Sequence, residues 1–84
     1  MTVDDEFIRA AARRIVLEVG DPEASEENAR ILGERVFDWT KSLRFTAGLS
    51  FEEAYAAEDR LRDAMVELVD EIVASGGWSK TGEA

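Results

Sequence analysis

The chain has 84 residues and a formal net charge of −9, with 19 Asp and Glu set against 10 Lys and Arg, and it contains neither Cys nor His. That length supports one small core, and the two missing residue types remove disulfides, thiolate nucleophiles, zinc–thiolate sites, the commonest general base and the commonest metal ligand. The longest run of large apolar residues, Ile15-Val16-Leu17, is far short of the roughly 20 that span a bilayer. Met1-Thr2-Val3 leads into Asp4-Asp5-Glu6 where a secretory leader would turn basic and then apolar. Composition alone therefore predicts a cytoplasmic, non-catalytic protein with no cofactor, no metal and no membrane contact.

Helical periodicity predicts the first element over residues 3–19. Thr2 is the expected N-cap, and Asp4, Asp5 and Glu6 form an acidic first turn that suits the positive end of a helix. Phe7, Ala11, Ile15 and Val19 recur four apart with Ile8, Ala12 and Val16 beside them, while Arg9, Arg13 and Arg14 lie mostly off that stripe. Gly20 is placed for a C-cap, and Asp21-Pro22 blocks continuation.

The second helix has two candidate starts. Asp21 could cap with Pro22 at the first helical position, or Ser25 could cap a later start, giving a helix over 22–46 or 25–46. Ala29, Leu32, Val36, Trp39 and Leu43 keep a helical spacing with Phe37 adjacent, so Phe37, like Phe7, is assigned to the core. Gly33 costs about 1 kcal/mol relative to Ala in a helix interior, and close approach of a neighbouring helix is its simplest explanation. Gly48 is the expected C-cap.

Ser50-Phe51-Glu52-Glu53 spells a capping box, with Leu49 placed to staple against Ala54. From there Ala54, Ala57, Leu61, Met65, Leu68 and Ile72 carry a third helix over 51–74, stopped by Ser75-Gly76-Gly77. The sum is an all-α three-helix bundle over residues 1–77, followed by a short flexible tail over 78–84 in which Trp78 is either folded back or an exposed anchor.

Enzyme signatures fail. There is no phosphate loop, no G-x-S-x-G, no H-E-x-x-H and no calcium loop. Short helical chorismate mutases need a cationic pocket; Arg9, Arg13 and Arg14 supply charge without that family's full pattern. Helical nucleoside-triphosphate pyrophosphatases hold magnesium on paired carboxylates. Glu23-x-x-Glu26 and Glu67-x-x-Asp70 match only in spelling, in a chain rich in acids. No helix carries the clustered basic face of a nucleic-acid reader, so direct nucleic-acid binding is not expected.

Charge distribution says more. Residues 52–74 hold eight acids against Arg60 and Arg62, which is two-thirds of the net excess. Asp59, Asp63, Glu67 and Glu71 are spaced four apart with Asp70 beside the last, a repulsive arrangement costing roughly 0.2–0.5 kcal/mol per pair. One reading is the solvated back of an amphipathic helix. The other is a partner-binding stripe for a protein with a basic surface, where carboxylates take the place of phosphates. Small acidic proteins of that kind include DNA mimics, among them phage-encoded inhibitors of restriction and CRISPR complexes, and they supply the expected function: an acidic inhibitor or adaptor. The alternative is a helical homodimer, structural or assembly-related, joined through apolar edges such as Phe45, Phe51 and Tyr55.

Overall fold

The computed structural model describes residues 3–78 and contains three helices in chain order. They are α1 (Asp5–Val19), α2 (Glu26–Phe45) and α3 (Phe51–Ala74). No helix among the described residues is long and apolar enough to cross a membrane.

The helix ends follow local hydrogen-bond chemistry. Asp4, not Thr2, caps α1: its Oδ1 accepts from the Phe7 N–H at 2.9 Å, and Thr2 lies outside the described residues. α1 consequently starts two residues later than its apolar pattern suggested, because Asp4 has extended backbone geometry. Gly20 closes α1 at φ +94°, a conformation that strains any residue with a Cβ.

Between α1 and α2 the Asp21 carboxylate accepts from the Glu23 N–H at 2.9 Å, and the Asp21 carbonyl accepts from the Asn28 side chain at 3.0 Å. Asp21-Pro22 is therefore spent on a turn, and Ser25 caps α2 by accepting from the Asn28 N–H at 3.0 Å. At the far end Thr46 is the C-cap, two residues before the position assigned to Gly48. Gly48, at φ +80°, serves the turn that brings the Leu49 N–H onto the Leu43 carbonyl.

The capping box of α3 is complete: Ser50 Oγ accepts from the Glu53 N–H at 3.1 Å, and Glu53 Oε1 accepts from the Ser50 N–H at 2.9 Å. The C-terminal end is a Schellman motif. Gly77 N–H reaches the Ile72 carbonyl and Gly76 N–H the Val73 carbonyl, with Gly76 at φ +81°. Neither α1 nor α3 has a basic residue in its last turn.

One core joins all three helices. Ile8, Ala12, Ile15 and Val16 of α1 meet Val36, Trp39 and Leu43 of α2 and Ala54, Leu61 and Met65 of α3. Leu49 and Trp78 pack against this cluster, so Trp78 is folded back; the rest of the expected 78–84 tail lies outside the described residues. Short connections make α2 antiparallel to both neighbours, whereas α1 and α3 run parallel, as the pairing of Asp5 with Arg60 requires.

Three expectations for α2 fail, the first being Ala29, which opens its apolar pattern yet is exposed. Phe37 is 61 % exposed, because its side of α2 points past α3 and away from α1. Among the described residues Gly33 has no neighbour within 4 Å of where a Cβ would stand, so neither α1 nor α3 approaches it closely.

Candidate functional site

All five carboxylates of the expected stripe, Asp59, Asp63, Glu67, Asp70 and Glu71, are exposed. They do not form one straight row. Four residues advance an α-helix by about 40° more than a full turn, so the 59-63-67-71 series winds around α3 toward α1. Asp63 and Glu67 share a groove with Arg9 and Arg60, and Glu67 and Glu71 share the next with Arg9 and Arg13. Asp70 instead borders the α2–α3 side, near Leu32, Met65 and Val69.

The two arginines of α3 do not relieve the stripe. Arg60 bridges to Asp5 at 2.6 Å and donates to the Val3 carbonyl at 2.9 Å. Arg62 pairs with Glu58 at 2.9 Å. Among the described residues, none of the five stripe carboxylates has a cationic nitrogen within 4.0 Å. Arg9 and Arg13 lie across the groove without closing an ion pair, a placement that one helix's sequence could not disclose because it depends on how α1 packs on α3.

Ordinary anchoring contacts account for the carboxylates whose acidity changes. The Arg30 guanidinium holds Glu27 below the usual carboxylate range by hydrogen bonding first and by charge second. The Ser50 backbone N–H does the same for Glu53, aided by the Ser50 hydroxyl. Both belong to helix starts and lie outside the stripe.

A second surface lies between α2 and α3, on the side away from α1. Phe37, Phe45, Phe51 and Tyr55 are each at least half exposed there. They are already organised: Phe51 and Tyr55 meet edge to face with ring centroids 4.4 Å apart. Arg44 stacks over Phe45 and Phe51 at 5.1 and 4.8 Å, and Lys41 stands over Phe37 at 5.5 Å. Beneath them Thr40, the one buried polar side chain among the described residues, places its hydroxyl 3.0 Å from the Val36 carbonyl and 2.8 Å from Glu58 Oε1. One proton serves both acceptors in alternation.

Sequence reasoning named three of these aromatics as apolar edges but lost Phe37 to the core. The signal that would have recovered it is Lys41, four residues on: a cation one turn from an aromatic marks a solvent-facing row.

Glu67 and Asp70 are i,i+3 neighbours on α3 but border different grooves, and no third ligand joins them among the described residues. No group of three or more metal-ligating side chains occurs among the described residues. No protein-family model, curated protein or solved structure matches the chain.

Proposed function

We propose that the chain is a non-enzymatic acidic binding module, an inhibitor or adaptor that docks α3 onto the basic, nucleic-acid-binding surface of a partner protein. The observation that carries this reading is the set of five exposed carboxylates on α3 with no cation within 4.0 Å among the described residues. Repulsion within that set works against the helix, so a binding role gives it a reason to stand unneutralised.

Its density supports a phosphate-like role. Residues 59–71 rise about 18 Å along the helix, which gives one charge per about 4 Å. A single DNA strand carries one per roughly 3.4 Å. Arginines border the grooves of Asp63, Glu67, Asp70 and Glu71 without pairing with them, so all five charges stay available to a partner. Anti-restriction and anti-CRISPR proteins that imitate DNA are the functional comparison, resting on charge, size and helicity.

The test is the double variant Asp63→Lys/Glu67→Lys, used beside the parent as bait for proteins of the source organism at low salt. The expected result has three parts: an unchanged melting temperature within a few degrees, loss of the protein retained by the parent, and parent-dependent release of nucleic acid from that protein. Reversed charges meet like charges across such an interface, at a cost that can reach several kcal/mol. A variant that melts like the parent and captures the same protein equally well would reduce the stripe to a solvated face.

A further inference from the structure

The aromatic surface between α2 and α3 meets the acidic stripe only at Asp59 and calls for a different kind of occupant. From its composition and layout, we infer that it is the interface of a symmetric homodimer in which α2 of each copy lies antiparallel against α3 of the other.

Three features support a second copy over an unrelated protein. The first is charge. The α2 border of the face carries Lys41 and Arg44, which make no ion pair among the described residues. On α3, Glu52 and Asp59 stand one turn to either side of Tyr55, exposed and equally without an ion pair among the described residues. A face with its cations on α2, aromatics on both helices and its carboxylates along the outer side of α3 is complementary to itself. A two-fold axis parallel to the helices sets α2 over the second copy's α3 at the same level. Lys41 and Arg44 of one copy then face Glu52 and Asp59 of the other. An isologous interface requires such self-matching, with each contact made twice.

The second feature is the aromatic centre. Phe45 is 72 % exposed and Phe37 61 %, a costly display for a monomer and the usual composition of an interface core. The Phe51–Tyr55 edge contact and the Arg44 stacking hold these side chains in place before association, which lowers the entropy lost on binding.

The third is room. Gly33 lies one turn before Phe37 on α2 with open space where its side chain would be, which admits a second helix at close range. α2 and α3 together present a strip about 30 Å long and 20 Å wide, comparable with the roughly 800 Å² per partner of a stable interface. A four-helix layer formed this way covers the apolar side that α1, packed on the opposite side, cannot reach.

The experiment uses two exposed-surface variants whose folding is checked by far-UV circular dichroism: Lys41→Glu/Arg44→Glu and Glu52→Lys/Asp59→Lys. Mass is measured by sedimentation and light scattering from micromolar to millimolar concentration. The parent is expected to be a dimer that dissociates on dilution. Each variant, with like charges along both matched edges, should be a monomer with parental helicity, its dissociation constant raised at least tenfold. An equimolar mixture should recover the dimer mass, because both contacts become attractive although both variants remain net negative. A parent that stays monomeric throughout overturns the proposal and leaves the face to a different protein. Dimers that persist in both variants place self-association elsewhere, and a mixture that stays monomeric rules out the α2-on-α3 pairing.

Discussion

At the start of α3, Ser50 and Glu53 exchange two hydrogen bonds, and the direction of the Glu53 shift makes that exchange visible to pH. The Ser50 N–H favours the charged carboxylate, so Glu53 is more acidic folded than unfolded. A depressed folded pKa contributes stability that is present above the unfolded value and lost as pH falls through the folded one. Glu53→Gln keeps an acceptor oxygen but cannot titrate. The parent should therefore exceed the variant in urea midpoint at neutral pH, and the gap should close below about pH 4, near the ordinary glutamate range. A gap of equal size at pH 7 and pH 3 would mean the contact gains nothing from charge. Both partners of this box were legible in the sequence because the motif spans four adjacent positions. The cap of α1 was not: Thr2 and Asp4 are both competent, and only backbone geometry chooses Asp4.

Among the helices, α2 departs furthest from its expected role. Its 20 residues bury Val36, Trp39 and Leu43 as the spacing implied, yet Gly33 and Phe37 sit on a side that no described residue covers. Hydrophobic periodicity reports which residues are apolar on a face; it does not report whether a third helix is there to meet them. Gly33→Ala tests this directly. With open space for the Cβ, the substitution removes a helix-interior glycine at no steric cost and should stabilise the monomer by roughly 0.5–1 kcal/mol. Measurement at low micromolar concentration in urea isolates that effect from association. Destabilisation there would show that something in the monomer already fills the space. The acidic stripe shows the same limit from the other side. Its residues and their exposure were legible, whereas the opposition of Arg9 and Arg13 to Glu67 and Glu71 came only with the packing of α1 on α3.

For the molecule as a whole, the fold class and all three helices follow from patterns that agree with one another, caps with periodicity and periodicity with glycine stops. The function is less legible because it rests on surfaces, and surface charge answers to solvent as readily as to a partner. Stability is concentrated in a few fully buried side chains, notably Leu61, Leu43, Val16 and Val36. Leu61→Ala should cost about 2–5 kcal/mol, a large part of the roughly 4–12 kcal/mol available to a domain of this length. A fall in melting temperature of roughly 10–25 °C is expected. Leu17→Ala on the exposed side of α1 should shift it by only a few degrees. Equal shifts for the two would contradict the burial of Leu61 in the shared core.

The parallel run of α1 and α3 also gives the molecule an electrical direction. Their C-termini, each bearing about half a negative charge from the aligned peptides, emerge together with no basic residue in either last turn. At that same end lie the Asp21 turn, the Glu26-Glu27 start of α2 and the Asp70-Glu71 pair of α3. The opposite end holds the two helix N-termini, where the acidic first turns Asp5-Glu6 and Glu52-Glu53 are mixed with Lys41, Arg44 and Arg60. In the field of a basic surface such a body turns before it touches, presenting its negative pole first. Orientation during approach, and with it the rate of encounter, is then the property that salt weakens earliest.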